Sequence, residues 1–173
     1  MGINRGNVNP DFWTGKKVYM TGHTGFKGSW LSLWLLGMGV KVKGFSLQPN
    51  TNPALFTSIN IGKGMESEIG DIRNLEQLTR SIITFNPDIL IHMAAQPLVR
   101  FSYKEPVETY TTNVIGTVNV LEAARKCSNL KAIVCVTTDK CYENKEREWG
   151  YRENEAMGGH DPYSSSKGCA ELA

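Results

Sequence analysis

Apolar residues in this chain fall in short blocks whose spacing alternates between two kinds. Lys17-Val18-Tyr19-Met20 is a brief apolar run ending at a glycine turn, and it predicts a strand. Phe26 to Met38 is apolar over a length that suits a helix packed on a sheet. Val40 to Phe45 predicts a second strand, the tract from Gln48 to Pro53 a loop, and Ser67-Glu68-Ile69 a weaker third strand. Leu75, Leu78, Ile82, Ile83 and Phe85 form a helical stripe. Asp88-Ile89-Leu90-Ile91-His92 shows no alternation, as expected of a strand buried on both faces. Val114, Val118, Leu121 and Ala124 mark a long helix from Glu105 to Cys127, and Ala132 to Val136 reads as a further buried strand. This β-α repetition with short links predicts an α/β fold built on a doubly wound parallel sheet. No tandem repeat, low-complexity tract or linker interrupts it.

Composition narrows the class. The 173 residues suffice for one domain with a real core and are short for two. Hydrophobic residues at 40% and charged residues at 21% are ordinary for a soluble globular protein. A net charge of +2 is too balanced for a nucleic-acid surface. The longest apolar stretch, Leu31 to Val40, is about half of a membrane span and is broken by Gly37 and Gly39. The opening MGINRGNVNPDFW lacks a signal-peptide core, and Gly6 stands where myristoylation wants a hydroxyl. These absences predict a cytoplasmic protein with no membrane partner. Cys127, Cys135, Cys141 and Cys169 include no C-x-x-C pair, and with His23, His92 and His160 they form no metal-ligand spacing. No metal is expected.

Candidate chemistry begins at TGHTGFKG, residues 21–28. Gly22, Gly25 and Gly28 follow a strand and open a helix. The first permits a tight turn, the second lets a pyrophosphate approach the backbone, and the third lets helix and strand pack closely. Phe26 and Lys27 occupy the first helical turn. There a cation and the helix dipole are mismatched unless a phosphate lies between them. At the other end of the chain, Tyr163 and Lys167 are spaced to project a phenol and an ammonium from one helix face.

The G-x-x-G-x-x-G spacing resembles the extended branch of the short-chain dehydrogenase/reductase superfamily, which acts on nucleotide sugars, and the resemblance runs the length of the chain. In GDIRN, Asp71 would accept from the adenine amino group of the cofactor and Ile72 would flank the ring. In HMAAQ, Ala94 and Ala95 would leave room for ribose and pyrophosphate, with Gln96 turned to the substrate side. TTNVIGTVNVLEAAR would be the family's long fourth helix, with Thr112 and Asn113 near the cofactor. VTTDKCY and YSSSK resemble the catalytic strand end and the catalytic Tyr-x-x-x-Lys. The resemblance implies an NAD(P)-binding Rossmann domain over residues 1–173, the incomplete N-terminal part of a larger enzyme whose C-terminal substrate domain is missing. It also implies a homodimer built on the fourth helix and the Tyr163 helix.

Thr138-Asp139-Lys140 sets the expected reaction. Within the family this triplet resembles the sugar-nucleotide 4,6-dehydratases, and Lys in the third place resembles the branch that converts CDP-glucose. By that resemblance Tyr163, assisted by Lys167 and Thr138, would deprotonate the C4 hydroxyl. Its phenol would be lowered by the Lys167 ammonium and the nicotinamide charge. Asp139 would protonate the departing C6 hydroxyl, and Lys140 or a group it positions would take the C5 proton. NAD is the expected cofactor. The second strand ends in Phe45-Ser46-Leu47 without an acid for a ribose diol, and Lys41 and Lys43 nearby leave NADP open. An epimerase or reductase of the same fold, or a non-catalytic dinucleotide-binding protein, is the alternative.

Overall fold

The computed structural model describes residues 8–173. The readings on residues 1–7, including Gly6, lie outside them. Five strands form one all-parallel sheet: β1 (Lys17–Thr21), β2 (Lys41–Ser46), β3 (Glu66–Ile69), β4 (Ile89–His92) and β5 (Ala132–Cys135). Their spatial order is β3-β2-β1-β4-β5. The chain winds outward from β1 to β3, then crosses back to continue on the other side of β1. This doubly wound order is that of a Rossmann fold, and its switch point lies between β1 and β4.

Helices cover both faces. They are α1 (Pro10–Trp13), α2 (Phe26–Gly37), α3 (Leu55–Ser58), α4 (Leu75–Phe85), α5 (Val99–Lys104), α6 (Pro106–Tyr110), α7 (Gly116–Arg125) and α8 (Pro162–Leu172). Successive side chains of β1 feed two cores. Tyr19 joins Phe45, Leu90, Leu78, Ile82 and Val120 beneath α4 and α7, while Val18 and Met20 join Val42, Ile89, Ile91 and Leu35 beneath α2. The predicted α4 stripe is realised with Leu78, Ile82 and Phe85 inward. Its ends are closed by the Asn74 side chain accepting from Gln77 N and by Asn86 in a left-handed conformation.

Three expectations need correction. The helix at Phe26 exists, but its sheet-facing side is small: Gly28, Ser29, Ser32 and Leu35 are buried, whereas Phe26, Trp30, Leu33 and Trp34 are exposed. The cause is the closeness of α2 to the turn after β1. A Cβ on Gly28 would lie 2.1 Å from Gly22 O, so only small residues fit on that side. Ser29 and Ser32 return their hydroxyls to Gly25 O and Gly28 O. Next, β5 is not buried, since Ile133 is 41% and Val134 50% exposed. Among the described residues it pairs with β4 alone. Finally, the long fourth helix is not uniform. Pro106 opens α6 at its first position, a π-helical turn spans Thr111–Ile115, and α7 ends at Arg125.

His23, inside the glycine motif, crosses over β2 to reach β3. Its Nε2 lies 2.7 Å from Ser67 Oγ, its ring meets Phe56 edge-on at 5.2 Å, and it fills the space above Gly44. A Cβ on Gly44 would sit 2.2 Å from the imidazole. Gly44→Ala should therefore cost about 1–3 kcal/mol of stability by overpacking. The same change made in a His23→Ala background should cost far less, because the clash is gone. Urea denaturation of the four proteins measures the coupling, and additive costs would show that the ring does not occupy that space.

Candidate active site

A crevice of about 550 Å³ opens at the carboxyl ends of the strands, over the switch point. Its floor is bare backbone. Gly22 has φ +78, and a Cβ there would lie 2.8 Å from Ala94 N. Gly25 is the N-cap of α2 and offers no side-chain acceptor to the first-turn amides. Those N–H groups are left for an anion at the crevice wall. A pyrophosphate fits this floor, and Lys27 lines the same wall from the first turn.

The floor is held from beneath by a relay that the sequence reading did not name. Thr21 Oγ1 accepts from Met93 N and Ala94 N, each at 3.1 Å, and its hydroxyl lies 2.7 Å from His92 Nδ1. His92 Nε2 in turn lies 3.0 Å from Thr117 Oγ1, which donates to Asn113 O at 2.7 Å. With both acceptor sites of Thr21 used, its proton goes to Nδ1, so His92 is neutral with hydrogen on Nε2. Burial, with a smaller contribution from the Lys167 charge, lowers its pKa to about 4.

The adenosine side is built by the ends of β2 and β3. Thr24 Oγ1 bonds Ser46 Oγ and Leu47 O at 2.8 Å, tying the glycine turn to the β2 exit. Lys43 is committed to Glu66 and Glu68 of β3 at 4.0 and 3.1 Å, and Lys41 sits at the opposite end of β2. Neither lysine is among the crevice residues. Asp71 is engaged by Arg73 through Nε, Nη2 and the backbone amide. Burial pushes the Asp71 carboxyl up, but Arg73 outweighs it and holds the group below its ordinary value. Ile72 lines the crevice, and its turn is pinned by Asn119 Nδ2 donating to Ile72 O at 3.0 Å.

Ala94, Ala95, Gln96 and Thr112 line the crevice, but Asn113 does not. Asn113 is buried in the wall behind: Oδ1 accepts from Gln96 N at 2.8 Å, and Nδ2 donates to Gln96 O and Ser166 Oγ. Both its amide hydrogens are spent on the protein. The Gln96 amide is likewise occupied, donating to Thr109 Oγ1 and accepting from Leu98 N. The π turn places Thr112 toward the crevice and Asn113 into the wall, and such turns recur at functional sites.

Helix α8 delivers the Tyr-x-x-x-Lys pair. It starts with Asp161 capping Ser164 N at 2.9 Å and Pro162 at its first position. Ser102 Oγ accepts from Tyr163 N at 3.1 Å, and Tyr110 donates its hydroxyl to Ser165 at 2.8 Å. Tyr163 and Lys167 line the crevice. Burial raises the Tyr163 phenol, the Thr138 hydroxyl draws it back, and Asp139 and Asp161 raise it again. The expected lowering by Lys167 is therefore not found: its ammonium donates instead to Val136 O at 3.1 Å. Burial lowers the Lys167 pKa, partly offset by Cys135, Glu171 and Cys141. The one hydroxyl proton of Thr138 is directed at Asp139 Oδ1, 3.0 Å away at the start of the 3₁₀ turn Asp139–Cys141. Lys140 is exposed and lies by the α8 cap, where it helps hold Asp161 ionised. Thr138 and Asp139 thus stand close enough to influence Tyr163, yet neither they nor Lys140 line the crevice.

Among the described residues no cluster of His, Cys, Asp and Glu could hold a metal, and no helix is long and apolar enough to cross a membrane.

A glycine-floored crevice at the switch point, faced by Tyr163 and Lys167, defines a dinucleotide-binding Rossmann domain of the dehydrogenase/reductase type. Residues 20–173 match the model of the GDP-mannose 4,6 dehydratase family, and the chain belongs to that family. It is 61% identical over 165 residues to CDP-glucose 4,6-dehydratase of Salmonella typhimurium, covering 95% of this chain and 46% of that protein. An epimerase from Methanothermobacter thermautotrophicus superimposes with a TM-score of 0.82 at 26% identity, over 94% of this chain and 47% of the other. UDP-glucose 4-epimerase from Brucella ovis, solved with NAD, gives 0.77 at 25% identity over 91% and 46%. The chain spans about half the length of the curated relatives it matches.

Two buried histidines make acid stability a direct check on the relay. Burial holds both His23 and His92 at about 4, below the ordinary 6.5. Unfolding frees them to take protons, so their contribution is complete above pH 6.5 and is lost as pH falls toward 4. The urea midpoint should fall between pH 7 and pH 4.5, and His92→Asn should flatten that slope. A midpoint independent of pH across this window would mean that the histidines are not held neutral.

Proposed function

We propose that this chain forms the cofactor-binding and proton-transfer part of an NAD-dependent CDP-glucose 4,6-dehydratase, a lyase giving CDP-4-keto-6-deoxyglucose for deoxysugar biosynthesis. The observation that carries the reading is Tyr163 and Lys167 facing a crevice floored by Gly22, Gly25 and Gly28, with Thr138 and Asp139 beside Tyr163 just outside the crevice lining. Dinucleotide binding alone needs no such set. The choice of CDP-glucose rests on the 61% identical relative and on the Thr-Asp-Lys triplet.

NAD would lie along the glycine floor. The α2 amides and Lys27 would hold its pyrophosphate, Asp71 and Ile72 its adenine, Ala94, Ala95 and Thr112 its middle, and Tyr163 and Lys167 its nicotinamide side. Gln96 would face the substrate side, with Asn113 acting from behind as the clamp on Gln96. Neutral residues at the β2 exit and the commitment of Lys43 to β3 favour NAD over NADP. The chemistry bound NAD supplies is uptake of hydride from C4 and its return to C6, so the net change is loss of one water.

The chain's own residues move the protons. Tyr163 takes the proton of the C4 hydroxyl while Thr138 hydrogen-bonds the same oxygen. Because burial raises this phenol and the Lys167 ammonium is committed to Val136 O, its ionisation would depend on the positive charge of bound nicotinamide. The new C4 ketone acidifies C5–H. Asp139 protonates the C6 hydroxyl as it leaves, and Lys140 or a water it orients accepts the C5 proton. General acid–base help of this kind is worth about 10²–10⁴-fold per group.

The test is turnover by the full-length protein on CDP-, UDP-, GDP- and dTDP-glucose. A 4-keto-6-deoxy product from CDP-glucose is expected, whereas a C4 epimer without keto sugar would make the protein an epimerase. Asp139→Asn should lose about 10²–10⁴ in turnover and build up reduced nicotinamide on substrate, visible by absorbance. Tyr163→Phe should be equally slow with none. Identical behaviour of the two variants would mean that Asp139 positions substrate and does not protonate it.

The same reading carries a homodimer. Val107, Ile115 and Val118 stand exposed along α6, the π turn and α7, with Val114 and Leu121 half-buried beside them. A self-complementary apolar face of this kind suits an isologous two-fold contact with α8 alongside. Light scattering of the full-length protein should give a dimer at micromolar concentration, and Val118→Glu should shift it toward monomer. A monomeric wild-type protein would remove this proposal.

A further inference from the structure

The catalytic segment 138–140 leaves the edge strand β5 with little to hold it. Asp139 and Lys140 are exposed. The turn's own bonds are Cys141 N to Thr138 O at 3.2 Å, Tyr142 N to Asp139 O at 3.2 Å and Lys140 N to Thr138 Oγ1 at 3.3 Å, and on its far side Cys141 O accepts from Gly158 N at 2.9 Å. Such a turn fixes its own shape but not its distance from α8.

Two side chains one turn apart on α8 supply that distance. Lys167 donates to Val136 O at 3.1 Å. Four residues on, and so on the same helix face, the Glu171 carboxylate accepts the hydroxyl of Thr137 and the thiol of Cys141, the latter at 3.8 Å. Val136 and Thr137 are the residues that lead into Thr138, and buried Cys141 closes the turn after Lys140. The segment is therefore gripped on both sides by one carboxylate, next to the grip of Lys167 on the preceding carbonyl. Hydrogen bonds to an ionised acceptor are the stronger kind, and this one bridges the element carrying Thr138 and Asp139 to the element carrying Tyr163.

We propose that Glu171 is a positioning residue: it clamps Thr137 and Cys141 against α8 and so sets the approach of Thr138 and Asp139 to Tyr163. It touches neither substrate nor cofactor in this role. The catalytic consequence rests on the dehydratase reading above, while the clamp itself does not. Among the described residues Glu171 is exposed and belongs to neither core cluster.

Two variants of the full-length protein separate clamp from charge. Glu171→Gln keeps an amide oxygen that accepts the same hydroxyl, and Glu171→Ala removes the acceptor. Hydrogen–deuterium exchange over residues 138–142 should quicken in the Ala variant and stay near wild type in the Gln variant. Unchanged exchange in the Ala variant would overturn the clamp. In turnover, Glu171→Ala should lower kcat by about ten- to a hundred-fold, the scale of small misplacements, with KM near wild type and Gln restoring most of the rate. An unaltered kcat, a change confined to KM, or equal loss in both variants would overturn the positioning role. If exchange responds as expected but wild type dehydrates no nucleotide-glucose, the dehydratase reading falls and the clamp stands.

Discussion

The close passage of two backbones at the switch point governs the rest of the structure. Gly22, at the end of β1, lies so near the chain leaving β4 that no Cβ fits between them, and Gly28 presses on Gly22 O from α2. Three segments thus meet with almost no side chains between them. This produces the peptide floor of the crevice, makes the inner side of α2 small, and puts the α2 amides where an anion can reach them. Thr21 converts the approach into a bonded one by accepting from both amides after β4. His92 and Thr117 carry the same linkage to the fourth helix.

Around that point the helix carrying Tyr163 and Lys167 is positioned mostly by hydroxyls. Ser102 holds Tyr163 N, Ser166 bonds Asn113 Nδ2, and Tyr110 bonds Ser165. These small groups let α5, α6 and α8 approach closely while their bonds fix orientation, which is what proton transfer over hydrogen-bond distances requires. The Tyr163 phenol is raised while Lys167 is anchored on a carbonyl. The protein thus supplies a site in which charge arriving with the ligand decides ionisation.

Much of this was legible in the sequence, for identifiable reasons. Periodicity located all five strands and placed α4 at Leu75 to Phe85, most clearly where β1 and β4 are buried on both faces and where α4 has a clean apolar stripe. The glycine motif and Tyr163-x-x-x-Lys167 were legible because their chemistry restricts residue type. What periodicity missed was burial that depends on neighbours. The apolar residues of α2 turned out to lie outward, since hydrophobicity alone does not show that Gly28 and Ser32 face a backbone. β5 looked buried because its composition resembles β4, yet it lies at the sheet edge. Asn113 was placed near a ligand and is instead consumed by Gln96 and Ser166. Thr21, His92 and Thr117 gave no signal, being far apart in the chain and ordinary singly.

The π turn at Thr111–Ile115 gives the fourth helix a phase as well as a length. One residue more than an α-helical turn is inserted there, and each helical residue turns the following chain by about 100°. Deleting a single residue from this turn would relax it toward regular helix. It would also rotate everything after it, taking Gly116 off Ile72 and Val120 out of the core. Substitutions within the turn change one side chain, whereas a change of length reassigns the faces of the whole of α7. The fold therefore depends on the number of residues in this turn as well as on Asn113 within it.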